Sequence, residues 1–251
     1  MPGERAMKFG VSLLLTVLIA LSVPSCVCGE TDADQPRGVV LLHGLARSAA
    51  SLEKMEKALQ DAGYQTLNID YPSTKHPVES LSRDYLAPKI NAFAIKTGHP
   101  VAFVTHSMGG ILLRYMVEED LIEAPYRAVM LSPPNQGSEV VDKLGDLWLF
   151  RAINGPAGNQ LGTGPDQIPR ALGPVTFDLG VLTGTRTINF ILSALISGPD
   201  DGKVAVSKAR VDGMADFRTV PATHPLIMNK EITIRETLLF LETGKFSRDL
   251  K

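Results

Sequence analysis

Short apolar runs alternate along this chain with longer stretches whose apolar residues recur every three or four positions. Gly38-Val39-Val40-Leu41-Leu42, residues 65–70, Val101-Ala102-Phe103-Val104-Thr105, Arg127-Ala128-Val129-Met130-Leu131, Leu179-Gly180-Val181-Leu182-Thr183 and residues 216–220 read as strands. Several are too continuously apolar to leave one face wet, the pattern of strands covered on both sides. The intervening stretches read as helices. One is capped by Ser51, buries Leu52, Met55 and Leu59, and stops at Gly63; a second fills 78 to about 97 and ends at Gly98; a third covers 109–119; a closing one runs over 229–243. This alternation predicts an α/β fold with a mostly parallel, doubly wound sheet flanked by helices. Residues 139–174 break the rhythm. An amphipathic piece from about Val140 to Ile153, holding the only tryptophan, Trp148, gives way to a segment rich in Gly and Pro. It reads as a cap or a surface excursion.

The first 29 residues are of different material. Arg5 and Lys8 precede an apolar run from Phe9 to Val23 that ends in Pro24-Ser25-Cys26-Val27-Cys28-Gly29, the three-part pattern of an export signal. The run is short of the roughly 20 residues a membrane span needs. The expected division is a signal over 1–29, a polar linker over 30–37 and one domain over 38–251. Val23-Pro24-Ser25-Cys26 also resembles the lipobox of bacterial lipoproteins, so two fates are open: lipidation of Cys26 with attachment to a membrane, or ordinary cleavage nearer Gly29. Periplasmic, membrane-anchored and secreted locations are all compatible with this segment.

Composition narrows the classes of function. The 251 residues suit one large α/β domain, and 44% hydrophobic and 21% charged residues are those of a globular protein with a full core. A formal net charge of −2 offers no basic face for nucleic acid. Both cysteines, Cys26 and Cys28, lie in the leader, so the domain has no disulfide or cysteine–metal chemistry.

Candidate chemistry centres on the strand that ends in Thr105-His106-Ser107-Met108-Gly109-Gly110. Small residues around Ser107 allow a sharp strand-to-helix corner with the hydroxyl at its tip, close to the G-x-S-x-G elbow but with Thr105 in its first position. A serine hydroxyl is a weak nucleophile until a histidine takes its proton and a carboxylate holds that histidine's tautomer. Downstream of the corner stand Asp200 and Asp201, in a turn after an apolar stretch, and His224, in a loop before the closing helix. Asp201 is selected over Asp200 because neighbouring residues on an extended end point in opposite directions, and Gly202 lets the chain turn with Asp201 facing inward. His43 is expected to shape the turn after the first strand, His76 and His99 to sit on the surface, and His106 to point back into the fold. An oxyanion also needs donors. The N–H of Met108 and, from the turn His43-Gly44-Leu45, the N–H of Leu45 are the candidates.

Taken together, Val-Val-Leu-Leu-His-Gly-Leu (39–45), Val-Thr-His-Ser-Met-Gly-Gly (104–110), Ser-Pro-Pro-Asn-Gln-Gly-Ser (132–138), Gly-Pro-Asp-Asp-Gly-Lys-Val (198–204) and Thr-His-Pro-Leu-Ile-Met (223–228) resemble the α/β-hydrolase superfamily and, within it, small bacterial lipases and esterases. The resemblance implies Ser107 as nucleophile, Asp201 as acid, His224 as base, and Leu45 and Met108 as oxyanion donors, with no metal and no cofactor. It implies an ester hydrolase acting on small-molecule or lipid esters. Acyl transfer or thioester cleavage by the same triad is the alternative enzymatic reading, and a non-catalytic binding lipoprotein on the same fold is the alternative of another kind. Residues 139–174 are expected to lie over the acyl pocket and to present Leu147, Trp148 and Phe150 to it or to a lipid surface.

Overall fold

Six strands, β1 (Gly38–Leu42), β2 (Gln65–Ile69), β3 (Val101–His106), β4 (Ala128–Leu131), β5 (Leu179–Gly184) and β6 (Asp216–Val220), form one sheet in the order β2-β1-β3-β4-β5-β6. Every neighbouring pair is parallel, so the sheet is wholly rather than mostly parallel. The structure is a computed structural model that describes residues 38–98 and 100–248; the leader, the linker, Cys26 and His99 lie outside the described residues.

The helices are α1 (Glu53–Asp61), α2 (Val78–Ser80), α3 (Ala87–Thr97), α4 (Met108–Glu118), α5 (Glu139–Leu144), α6 (Trp148–Asn159), α7 (Ile168–Ala171), α8 (Phe190–Ser193) and α9 (Glu231–Thr243); the short α7 and α8 have no periodic signal in the sequence. Because side chains alternate across a strand, each strand feeds two cores. Val39 and Leu41 pack with Val104, Leu131 and Leu182 against Met55 and Leu59 of α1 and Phe240 and Leu241 of α9. Val40 and Leu42 pack with Phe103 and Met130 against Ile90 of α3 and Ile111 and Leu112 of α4. Among the described residues no helix is long and apolar enough to cross a membrane.

Three expectations are corrected locally. The first helix opens with a 3-10 turn over Ala49–Leu52, and Ser51 does not cap it; its hydroxyl donates to the Ser48 carbonyl from inside that turn. The helix expected over 78–97 is interrupted by a π-helical stretch at Leu81–Leu86. Pro88, in the first turn of α3, has no N–H to donate and its ring would press on the Asp84 carbonyl in a regular helix, so the wider turn relieves it. The segment before the closing helix is a 3-10 turn at His224–Asn229, and α9 starts at Glu231.

Residues 139–174 fold as α5, α6 and α7 above the C-terminal edge of the sheet and are fastened at several points. A Cβ on Gly155, whose φ is 67°, would collide with the Thr74 backbone, and one on Gly137, whose φ is 83°, with the Gly162 carbonyl. Only glycine allows these two approaches. Gln160 adds hydrogen bonds to the Val78 N–H and to the Glu79 carboxylate.

Candidate active site

In a parallel sheet of this kind all the strands end on the same side, so residues just past those ends converge. Ser107 follows β3 at φ 52°, ψ −123°, a conformation non-glycine residues rarely adopt, and α4 begins at the next residue. Tight packing holds this strained corner. A Cβ on Gly109 would stand 2.5 Å from the Leu42 carbonyl oxygen, and one on Gly44 would stand 2.8 Å from His106 Nδ1 and 3.1 Å from Ser107 Cβ. Thr105, where the usual elbow has glycine, is fully buried in β3 opposite Leu42 and Met130. Its Oγ1 has no hydrogen-bond partner, so the methyl-sized bulk fits there at the expense of an unpaired hydroxyl.

The other two residues come from the loops after β5 and β6. His224 Nε2 lies 3.0 Å from Ser107 Oγ, and His224 Nδ1 lies 2.8 Å from Asp201 Oδ2. An ionised carboxylate only accepts, so Nδ1 carries the proton and Nε2 is free to accept from the serine. Asp201 is fully buried. Burial by itself would raise its pKa, but the charge and hydrogen bond of His224, the Ser132 hydroxyl and the Val204 N–H together hold it below its ordinary value. Asp201 Oδ1 also accepts from the N–H groups of Lys203 and Val204 at 3.0 and 2.9 Å. Asp200 points elsewhere: it accepts from the Ser193 hydroxyl at 2.7 Å and from the Gly202 N–H.

The remaining histidines divide as follows. His106 is buried and places its ring 4.9 Å from that of His224, donating from Nε2 to the His224 carbonyl at 3.0 Å. Burial, with the nearby charge of His224, pushes its pKa well below the ordinary value, so it is a neutral strut. His43 is fully buried, stacked on Tyr71 at 4.0 Å, and hydrogen-bonded through Nδ1 to the Gly44 carbonyl and through Nε2 to the Tyr71 N–H. Burial lowers its pKa as well. His76, expected at the surface, is half-buried and shares a 2.8 Å hydrogen bond with the Tyr85 hydroxyl.

The N–H groups of Leu45 and Met108 make no hydrogen bond to another described residue, and Gly44, beside Leu45, approaches so closely that a Cβ on it would stand 3.1 Å from Ser107 Cβ. They are available to an oxyanion at the serine. Ser107 and His224 open into a cavity of about 430 Å³ whose walls are mainly apolar, among them Val140, Leu144, Phe150 and Ile153 from the cap. Phe150 faces this cavity as expected. Leu147 and Trp148 do not line it; they are 56% and 78% exposed. Among the described residues no group of three or more His, Cys, Asp or Glu is placed to hold a metal.

Two residues escaped the sequence reading. Ser132, just past β4 at φ 49° and fully buried, aims its hydroxyl at Asp201 and accepts from the Gly184 N–H. Arg114 of α4 is buried, its pKa lowered to about 10 by that burial, and it donates to the Asn135 and Gly173 carbonyls, tying the elbow helix to the loop after β4 and to the end of the cap segment. Only the unusual Ser-Pro-Pro run hinted at Ser132; nothing in the pattern distinguished Arg114 from a solvated helix residue.

Solved structures share this architecture. The chain superimposes on the mature form of the lipase BlEst2 from Bacillus licheniformis with a TM-score of 0.70 at 22% identity, covering 84% of this chain and 93% of that one. It superimposes on the phospholipase PlaB from Legionella pneumophila with a TM-score of 0.59 at 20% identity, covering 82% and 56%, and on a monoacylglycerol lipase from Paleococcus ferrophilus with a TM-score of 0.54 at 17% identity, covering 84% and 95%. At these identities the likeness is one of fold. No curated protein sequence matches the chain. Residues 39–241 match the Alpha/beta hydrolase family, and the chain belongs to it.

Proposed function

We propose that this protein is an exported serine hydrolase that cleaves carboxylic esters with apolar, lipid-like acyl groups through an acyl-enzyme. The observation that carries this reading is the unbroken relay from Ser107 Oγ through His224 to buried Asp201, opening into a mainly apolar cavity. In this reading His224 Nε2 takes the proton as Ser107 Oγ attacks the ester carbonyl, and Asp201 stabilises the imidazolium. The carbonyl oxygen gains its negative charge against the Leu45 and Met108 N–H groups. His224 then protonates the departing alcohol, and water repeats the sequence to release the acid and restore the serine. Phe150 and its neighbours in the cap receive the acyl chain. Export rests on the leader, and a lipid on Cys26 would hold the domain at a membrane surface.

Labelling with a fluorophosphonate probe, followed by p-nitrophenyl esters of increasing acyl length, tests the chemistry. The wild type is expected to label and to gain kcat/KM with chain length until the cavity is filled, whereas Ser107→Ala loses labelling and about 10⁵ to 10⁶ in kcat with the fold intact. Undiminished labelling of Ser107→Ala would remove this serine from the mechanism. Mass spectrometry of the mature N-terminus tests export: a diacylglyceryl Cys26 or a start near residue 30 supports it, and an intact Met1 chain sinks it.

A further inference from the structure

Two cations face the cavity, and the ester-cleaving chemistry leaves both without a task. Arg47 stands two residues beyond Leu45 in the turn after β1, and Lys203 two residues beyond Asp201 in the loop after β5; both line the same cavity as Ser107 and His224. Neither the guanidinium nor the ammonium makes an ion pair or a side-chain hydrogen bond with a described residue. Surface Arg and Lys residues are commonly solvated in this way, but these two act on each other and on the centre of the site. Lys203 is exposed, yet the loss of water around it lowers its pKa and Arg47 lowers it further, against a smaller opposing pull from Asp201. Both cations also disfavour a proton on His106. Among the described residues the one carboxylate lining the cavity is Asp201, whose oxygens are already engaged by His224, Ser132 and two backbone N–H groups. Two mutually repelling cations beside a mainly apolar cavity make a site whose energy falls when a negative charge enters.

The position of that charge on the substrate follows from the geometry of the reaction. The apolar walls supplied by the cap, Val140, Leu144 and Phe150 among them, take the acyl chain. The alcohol must receive its proton from His224, so it leaves on the side of the acid and histidine loops, where Lys203 is. We propose that Arg47 and Lys203 bind an anionic group carried by the alcohol portion of the ester, so that the preferred substrates are single-chain acyl esters of an alcohol bearing a phosphate. Phosphate suits the pair best, because a guanidinium meets two of its oxygens at once and an ammonium serves as a point charge for a third. This inference rests on the ester hydrolase reading.

The test compares octanoylglycerol with octanoylglycerol 3-phosphate, both below their critical micelle concentrations, and adds the octanoyl ester of glyceric acid as a carboxylate of similar size. The wild type is expected to favour the phosphate ester over the neutral one by about thirtyfold in kcat/KM at low salt, with the preference shrinking as ionic strength rises. Arg47→Gln and Lys203→Gln should each reduce that ratio by about tenfold, the size of one charge-assisted hydrogen bond, while Lys203→Arg preserves it. A wild-type ratio near one, or a ratio moved by neither Gln variant, overturns the proposal, and a preference for the carboxylate over the phosphate overturns its choice of anion. If the neutral ester is cleaved and Ser107 labels while the ratio is one, the anion site alone is lost. If no ester is cleaved and no probe reacts, the hydrolase reading falls with it.

Discussion

The two walls of the cavity are built on opposite terms. On the sheet side Asp201 is fully buried and His224 is 4% exposed, and the hydrogen bonds of both are made by backbone and side chains anchored at strand ends. On the opposite side Trp148 of the cap and Phe190 and Ile191 of α8 are 78%, 76% and 81% exposed, on helices of 12 and 4 residues that contribute little to either core. Chemistry requires atoms held in place before substrate arrives, so it sits where parallel strands and two cores over-determine the backbone. Capture of an apolar chain requires only surface of the right kind, which helices that lie outside both cores can offer, and exposed apolar side chains are one mark of such a role. The contrast says that substitutions on the sheet side should act on rate and those on the cap side on choice of substrate.

The sharpest test of the rigid wall is its acid. Asp201→Asn is expected to lower kcat by about 10⁴, the loss seen when a carboxamide can no longer hold the histidine tautomer. Asp200→Asn, which changes a contact to Ser193, should cost less than about tenfold on the same short-chain ester. A larger loss at Asp200 would exchange the two assignments and leave Ser107 and His224 in place.

A second test asks whether the rigid wall also governs stability. His106 and His43 both have pKa values lowered in the folded protein by burial, so below about pH 6.5 the unfolded chain binds protons that the folded one refuses. Stability is therefore expected to be full above that pH and to fall as pH drops toward the folded values, by on the order of 1 kcal/mol per pH unit for each histidine. The lowered pKa of Asp201 adds its own loss only further down, as pH falls through its folded value, below the ordinary carboxylate range. Urea unfolding from pH 7.5 to 4.5 measures the slope. His106→Gln should flatten it, and a slope that His106→Gln leaves unchanged would mean that this histidine titrates normally.

The smallest effects are expected on the cap. Phe150→Ala should shift the preferred acyl length by several carbons and change kcat/KM for a long-chain ester by about tenfold, a few carbons' worth of apolar contact. Trp148→Ala should leave monomeric esters within about twofold, because Trp148 does not line the cavity, and lower activity only on aggregated or vesicle-borne substrate. Equal effects of the two substitutions on monomeric esters would erase the distinction between lining and rim.

Much of the machinery was readable because it is local. A corner that demands Gly109, a carboxylate before a glycine that permits a turn, and a histidine between the last strand and the last helix are each signalled within a few residues, and their chain order supplied the rest. Ser132 and Arg114 were not readable. Their partners lie at Asp201, Asn135 and Gly173, and no short-range pattern marks a side chain whose purpose is a contact 20 to 70 residues away. The same holds for Trp148: helical periodicity places it on an amphipathic piece but does not say which way that piece is rolled above the sheet.

What the sequence determined by itself was the alternation of buried strands and amphipathic helices, hence a parallel sheet with two cores, and the identity of the residues that sit just past the strand ends. Periodicity and turn chemistry are properties of neighbours in the chain, and they suffice for that much. Only the tertiary structure decided that Ser107, His224 and Asp201 stand 3.0 and 2.8 Å apart, that His106 braces the His224 carbonyl, that Ser132 backs Asp201, and that Arg47 and Lys203 look into one cavity. Those outcomes depend on strand order, on glycines that admit a backbone within contact distance, and on the roll of helices against the sheet, none of which is written in the spacing of residues along one strand.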